Sequence, residues 1–287
     1  MMNKKILVTG ASGQLGALVV ESLLARTAAA DIVALVRREE AAVPLRAKGV
    51  EVRFGDYEDP AALAAAVKGI DRVLLISGSE VGKDRAAQHA AVIEAAKAEG
   101  IELIAYTSIL RADVSPLWLA RDHLATERLL ADSGLPVALL RNGWYTENLT
   151  AGLAPALEHG ALVGASGAGR YSAAARADYA EAAAVVLLSD SPEGVYELAG
   201  GESFSMAEFA AEVSTVTGKE IGYADMPEAA LKDIYTGAGL PEVVAHMLAD
   251  SSAHAGSGAL EGSGADLEAL IGRKATDWRQ TLRAAVA

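Results

Sequence analysis

The chain has 287 residues, with 25 Lys and Arg against 38 Asp and Glu, and it contains no cysteine. The net charge of −13 argues against DNA, RNA and anionic membrane surfaces as partners. Without cysteine, disulfides, thiolate catalysis and cysteine-ligated metals are excluded, and no metal site is predicted. No apolar stretch reaches the length of a membrane span and none resembles a secretory signal, so we expect a cytoplasmic protein.

A glycine-rich turn follows the first apolar run. Residues 4–10 read KKILVTG, and residues 11–16 continue as ASGQLG into a helical pattern. A buried strand, a glycine-rich turn and a helix opening on that turn begin a dinucleotide-binding unit, in which the helix N-terminus faces the phosphates. The predicted cofactor contacts in this turn are Gly10, Ala11, Ser12, Gly13, Gln14, Leu15 and Gly16.

The second predicted strand, residues 31–37, ends in Arg37. In a dinucleotide fold this position meets the adenosine ribose, where an acid would accept from the 2′-hydroxyl of NAD and an arginine can pair with the 2′-phosphate of NADP. The alternative is a solvated pair with Arg38, partly neutralised by Glu39 and Glu40. The sequence therefore favours NADPH, with NADH as the second choice.

Two further strands are predicted at residues 51–56 and 72–77, and further candidate binding residues lie at or after their ends. Asp56 either lies beside the adenine or caps the helix that begins at Pro60. The loop after residue 77 falls at the carboxyl end of a central strand, where parallel sheets bind ligands. His89 is expected on the surface of the next helix, either facing the substrate or without a role. Cofactor contacts are predicted for Ser77, Gly78 and Ser79.

The fifth predicted strand, residues 103–108, ends in Ser108. Short-chain dehydrogenases end this strand in a serine and follow it with Tyr-x-x-x-Lys, whose tyrosine is the general acid. Here no tyrosine lies between Tyr106 and Tyr145, and no lysine lies between Lys97 and Lys219. The missing proton-donating pair argues against ordinary alcohol–ketone interconversion.

A sixth strand, residues 137–145, runs into a segment that resembles the NmrA-like atypical short-chain dehydrogenases, in which it turns toward the nicotinamide. Trp144 and Tyr145 form either a wall of the site or simple core packing. Asp178 is expected to cap the helix at residues 179–188. The predicted cofactor contacts in this part of the chain are Asn142, Gly143, Trp144, Tyr145, Thr146, Glu147 and Arg176.

The C-terminal part begins with a capping box, Ser205 and Glu208, that opens a helix over residues 205–217. The Gly/Ser-rich stretch 255–264 is expected to be a mobile surface loop, with a lid as one role. We expect an α/β fold, a Rossmann-type doubly wound parallel sheet with a smaller C-terminal substrate-binding lobe. Residues 1–150, with 171–200 returning to them, form the predicted cofactor domain, and residues 151–287 form the lobe.

Motifs along nearly the whole chain resemble the type 2 NAD(P)H:quinone oxidoreductases, with the triphenylmethane reductases as near relatives. They are LVTGASGQLG, LVRR, LLISGSEVG, IAYTSIL, ADSGLP, LLRNGWYTEN and VYELAGG. The resemblance implies a Rossmann domain, a smaller lobe and a substrate cleft between them. It also implies the cofactor contacts at residues 10–15, 37, 77–79 and 142–147.

The resulting hypothesis is direct, flavin-free hydride transfer from NADPH to a quinone by a monomer or homodimer. Hydride addition to a quinone gives a stabilised phenolate that solvent can protonate, so positioning supplies most of the catalysis. Asn142 and Tyr145 would shape the cleft, and His123 is a candidate for hydrogen bonding or proton supply. The alternatives are a triarylmethane or other aromatic electrophile as acceptor, and a redox sensor without turnover, as NmrA itself is.

Overall fold

Short apolar segments alternate with helices along the first half of the chain. The structure is a computed structural model that describes residues 4–80 and 82–287. Its strands are β1 (Ile6–Val8), β2 (Ile32–Val36), β3 (Glu51–Phe54), β4 (Arg72–Leu75), β5 (Leu103–Ile109), β6 (Val137–Asn142), β7 (Ala161–Gly164), β8 (Arg170–Tyr171), β9 (Gly194–Leu198), β10 (Phe204–Ser205) and β11 (Gly222–Asp225).

The helices fill the intervals between these strands and make up most of the C-terminal part. They are α1 (Gln14–Leu24), α2 (Glu39–Ala47), α3 (Pro60–Ala66), α4 (Arg85–Glu99), α5 (Ala120–Asp132), α6 (Thr146–Thr150), α7 (Leu153–His159), α8 (Arg176–Leu188), α9 (Met206–Thr217), α10 (Glu228–Gly237), α11 (Glu242–Ala255), α12 (Ala265–Ile271) and α13 (Trp278–Val286). Within the ranges that the structure describes, no helix is long and apolar enough to cross a membrane.

The main sheet has seven strands in the order β3-β2-β1-β4-β5-β6-β9. The neighbouring pairs from β3 to β5 are parallel. Strands β1, β2, β4 and β5 are buried at every position, as expected for parallel strands covered on both faces. This strand order is that of a Rossmann-type doubly wound sheet, so the predicted fold class is confirmed.

Contacts divide the chain into two compact units. The first runs to Ile109 and includes Asp122–Arg141 and Ala177–Tyr196. Its core joins residues of the sheet to apolar side chains of the covering helices, such as Leu63 and Leu130.

The second unit comprises Leu110–Arg121, Asn142–Arg176 and Glu197–Ala287. It contains two small sheets, an antiparallel pair of β10 with β8 and a parallel pair of β11 with β7. Phe204 lies at the centre of its aromatic core and stacks on the Trp278 ring with centroids 4.3 Å apart.

A buried ion pair ties β5, α5 and β6 together in the first unit. The Glu127 carboxylate accepts from Arg141 Nε at 2.9 Å and from Arg141 Nη2 at 2.7 Å. It also accepts from the Ser108 hydroxyl at 2.6 Å, and all three residues are buried. Ser108 is therefore engaged in the interior, in a role different from that of the serine in the short-chain dehydrogenases.

Two local expectations are wrong. Asp59, and not Asp56, caps α3, because its Oδ1 accepts from the amides of Ala61 and Ala62 at 3.1 and 3.0 Å. The 255–264 stretch is packed and is not a free loop. Leu260 is 2% exposed, its carbonyl accepts from the Ser172 amide at 2.9 Å, and the Ser172 hydroxyl donates to the next turn of the stretch.

Of two other local predictions, the capping box is confirmed, and strand β6 is shorter than predicted. The Ser205 hydroxyl accepts from the Glu208 amide, and the Glu208 carboxylate accepts from the Ser205 amide, which completes the predicted capping box. Strand β6 ends at Asn142, three residues earlier than predicted, because the chain there turns away to pair with another segment.

Replacing Glu127 with Gln should strongly destabilise the protein, because it removes the carboxylate charge that pairs with the buried Arg141 guanidinium. Breaking a buried pair in this way costs about 3–5 kcal/mol, measured as the free energy of unfolding in denaturant. The matched control is Glu102→Gln, which loses an exposed ion pair with Lys4 and should cost about 1 kcal/mol at most. Equal losses in the two variants would contradict this assignment.

Candidate functional site

The turn after β1 requires glycine at two positions, at one because of the backbone conformation and at the other because of a lack of space. Gly10 has a φ of +57°, a conformation that L-residues with side chains rarely adopt. A Cβ on Gly16 would lie 2.2 Å from the Gly10 carbonyl oxygen, so the first turn of α1 rests on the loop itself. No side chain caps the start of α1 at Gly13, which leaves its first amides suited to an anionic group.

The remaining predicted residues of this turn divide between surface and interior. Ser12, Gly13 and Gln14 are exposed, while Ala11 and Leu15 are buried. The exposed positions can present backbone to a ligand, and the buried ones anchor the turn.

Arg37, directly after β2, is held by two carboxylates. Its Nη1 donates to Glu80 Oε1 at 2.8 Å and lies 3.6 Å from Asp56 Oδ2. Lys83 Nζ, in turn, lies 2.8 Å from the other oxygen of Glu80. All these side chains are at least one-third exposed, so the cluster forms a charged rim at this end of the sheet.

The segment 76–78 continues β4 beyond the sheet and is held by side chains. The amides of its three residues donate in turn to Thr9 Oγ1, Thr107 Oγ1 and His89 Nε2, each at 2.9 Å. We call these three acceptors the amide clamp. The buried Tyr57 hydroxyl also contacts Thr9 and the first carbonyl of the segment. The clamp fixes the backbone of Ser77 and Gly78, two of the predicted cofactor contacts, while Val81 lies outside the described residues.

His89 is fully buried, contrary to the expectation of a surface position on α4. The Thr126 hydroxyl donates to the Asp122 carbonyl, so it accepts from His89 Nδ1–H at 2.8 Å. His89 Nε2 is then the acceptor for the Gly78 amide. Burial, together with the nearby Arg85 charge, lowers the pKa of His89 to about 3. The ring is therefore neutral at physiological pH and able to hold the loop.

His123 lies in the interior beside this network and is 4% exposed. Because arginine can only donate, its Nε2 accepts from Arg85 Nη2 at 3.4 Å, and its Nδ1–H faces the Tyr106 hydroxyl at 2.9 Å. Burial first, and then the nearby Arg85 charge, lower the pKa of His123 well below its usual value. A neutral, enclosed ring is poorly suited to the proton supply predicted for it.

The predicted segment 142–147 belongs to the second unit and pairs with the chain at Ala174. The Thr146 amide donates to the Ala174 carbonyl at 3.0 Å, and the Ala174 amide donates to the Trp144 carbonyl at 3.1 Å. Asn142 Nδ2 donates to the Tyr145 hydroxyl at 3.4 Å. Asn142 Oδ1 is buried and has no hydrogen-bond partner among the residues the structure describes.

Arg176, the first residue of α8, is joined to the same segment. Its amide donates to both Glu147 carboxylate oxygens, at 2.9 and 3.0 Å. Glu147 therefore caps α8, which is the role predicted for Asp178. Asp178 is fully buried in the first turn of the helix. The Arg176 guanidinium lies 4.8 Å from the Tyr145 ring centroid and donates to Asn148. Burial raises the pKa of the Tyr145 hydroxyl.

The sequence as a whole matches a known family. The sequence profile of the NmrA-like family matches residues 2–281. The chain belongs to the NmrA-like family. The resemblance inferred from the sequence motifs is thereby confirmed.

Among characterised members of the NmrA-like family, quinone oxidoreductase 2 of Escherichia coli K12 is 49% identical over 94% of this chain and 95% of its own. A crystal structure of the NADPH-dependent quinone oxidoreductase of E. coli complexed with NADPH has a TM-score of 0.96 at 47% identity, covering 98% of this chain and 100% of the other. Citrobacter sp. triphenylmethane reductase complexed with NADP(H) has a TM-score of 0.93 at 36% identity, covering 98% and 99%.

The amide clamp was not among the features predicted from the sequence. Thr9 directly follows β1, and Thr107 lies near the end of β5. A threonine near the end of an apolar strand is a usable signal for a side chain that bonds a neighbouring loop. His89 carries no such signal, because its α4 neighbours read as an ordinary helix. In the described ranges, no cluster of His, Asp and Glu could hold a metal ion.

The buried histidines should make stability fall in mild acid. Below about pH 6.5 the unfolded chain binds protons at His89 and His123 that the folded protein does not, so stability is lost as pH falls toward 3. Each contributes an average slope of about 1 kcal/mol per pH unit from pH 7 to pH 5, measured as unfolding free energies over that range. His89→Gln should reduce the slope by that amount and exposed His159→Gln should not; an unchanged slope in His89→Gln would refute the assignment.

Proposed function

We propose that this protein is an NADPH-dependent reductase that transfers a hydride directly to a quinone, without a flavin. The observation that carries the proposal is the strand–turn–helix at Gly10 to Gly16, built without room for a Cβ at Gly16. It occurs in a chain 49% identical to a quinone oxidoreductase of E. coli. The turn suits a dinucleotide's phosphates, and the relative indicates the class of acceptor.

Each unit, taken by itself, carries residues that suit one part of a nicotinamide dinucleotide. The uncapped start of α1 suits the pyrophosphate, and Arg37 suits the 2′-phosphate. In the second unit, the buried and unpartnered Asn142 Oδ1 would accept from an amide such as that of the nicotinamide. When bound, the cofactor supplies a hydride from C4 of its ring.

In the reaction, the residues of this chain would position and enclose the cofactor and the quinone. Hydride addition converts the quinone to a hydroquinone monoanion, and a proton from water completes the hydroquinone. Ser108 is bonded to Glu127 and His123 is neutral and enclosed, so neither side chain supplies the proton. Protonation by solvent suits an acceptor whose anion is stabilised by resonance, and orientation provides the rate.

We assign cofactor binding chiefly to the first unit, and the choice of acceptor to the second unit, which includes Tyr145 and Arg176. Tyr145 and Arg176, which lie against each other, would form part of the acceptor's surroundings. A cation 4.8 Å from an aromatic ring fixes that ring's orientation.

A cationic triarylmethane dye is the second candidate acceptor. It is favoured by the 36% identity to the Citrobacter triphenylmethane reductase and by the net charge of −13, which attracts cations. Such a dye also needs no acid for hydride addition.

Purified protein freed of flavin should oxidise NADPH when a benzoquinone is added, well above the uncatalysed rate. The measurement is the loss of NADPH absorbance, with crystal violet tested alongside as the cationic acceptor. Preferential turnover of the dye would reassign the acceptor. Tight binding of NADPH with turnover of neither acceptor would overturn the reductase proposal in favour of a sensor.

The Tyr145 ring should matter more than its hydroxyl. Tyr145→Phe keeps the surface that contacts Arg176 and should retain kcat/KM for the quinone within about threefold, whereas Tyr145→Ala should lose about tenfold or more through misplacement of the acceptor. Steady-state kinetics of both variants at neutral pH make the comparison. An equal loss in the two variants would show that the hydroxyl itself supplies the proton.

A further inference from the structure

The guanidinium assigned to the 2′-phosphate already has anionic partners. Arg37 Nη1 donates to Glu80 at 2.8 Å and faces Asp56 at 3.6 Å. A 2′-phosphate seeks the same donors, because guanidinium–phosphate and guanidinium–carboxylate pairs use the same geometry. Binding of NADPH at Arg37 therefore competes with an internal carboxylate.

Of the two carboxylates, Glu80 lies closer to Arg37 than Asp56 does, and both its side chain and its backbone are held in place. Lys83 Nζ lies 2.8 Å from its second carboxylate oxygen, so the side chain is held even when Arg37 turns away. Its backbone follows segment 76–78, which the amide clamp fixes. Glu80 thus stays beside Arg37 and places a negative charge near the arriving phosphate.

The ionisation of Glu80 supports this arrangement. Hydrogen bonds from Lys83, and next from Arg37, lower the pKa of the Glu80 carboxyl. The group is therefore charged throughout the neutral pH range, in which NADPH also carries its full phosphate charge.

We propose that Glu80 is a specificity-determining residue that limits the preference of this protein for NADPH over NADH by competing with the 2′-phosphate for Arg37. NADH has no 2′-phosphate and leaves the pair between Glu80 and Arg37 intact. The inference rests on the proposed function in one respect, the assignment of Arg37 to the 2′-phosphate. The competition is modest in size, because ion pairs this exposed contribute little free energy.

The test is calorimetric binding of NADP⁺ and NAD⁺ to the full chain, with no quinone present. Glu80→Gln should tighten NADP⁺ by about three- to fivefold and change NAD⁺ less than about twofold. The matched control is Glu58→Gln, which removes the same charge and the same kind of bond to Lys83 but has no contact with Arg37. It should leave the ratio of the two affinities unchanged.

A third variant separates this inference from the proposed cofactor contact. Arg37→Gln should lower the ratio of NADP⁺ to NAD⁺ affinity. If it does not, the assignment of Arg37 fails and the role of Glu80 fails with it. If Arg37→Gln lowers the ratio but Glu80→Gln leaves it unchanged or lowers it, Glu80 orients Arg37 and does not compete, and only this inference is overturned. Quinone turnover is measured separately, so its failure leaves this result standing.

Discussion

At residues 76–78 the backbone leaves the parallel sheet and loses the hydrogen-bond partners that a neighbouring strand provides. Strand β4 ends at Leu75, yet the chain must continue outward, and its amides no longer have a neighbouring strand to bond. Buried amides without partners are costly. Thr9, Thr107 and His89 supply the acceptors at 2.9 Å each. Because these side chains come from three different elements, the position of the loop depends on the assembled first unit.

The polar groups nearest to the position of the catalytic acid in short-chain dehydrogenases also make hydrogen bonds in the interior. Ser108 lies at the end of β5, where short-chain dehydrogenases place a catalytic serine, but here it bonds a buried carboxylate. His123 is neutral because burial and Arg85 disfavour its charged form. Because Ser108 and His123 already make structural contacts, the site suits an acceptor that needs a well-placed hydride and little proton transfer.

Much of the fold and part of the candidate site could be predicted from the sequence. The turn at Gly10, the parallel sheet and the Ser205 capping box depend on local patterns, and all three are confirmed. Of the two roles suggested for Asp56, the capping role is wrong because two aspartates precede Pro60, and only backbone geometry decides that Asp59 reaches the α3 amides. The 255–264 prediction failed because Gly and Ser also permit close packing, which composition does not distinguish from mobility.

The sequence by itself determined where the strands of the main sheet lie and where the chain turns for a dinucleotide, because glycine spacing and apolar runs act locally. It also placed Arg37 at the end of β2, since strand length sets that position. Only the tertiary structure decided what these residues touch. The pairing of Arg37 with Glu80 spans 43 residues, and the burial of His89 depends on its contact with Thr126, 37 residues away. Contacts between distant segments follow from packing, and no local pattern encodes them.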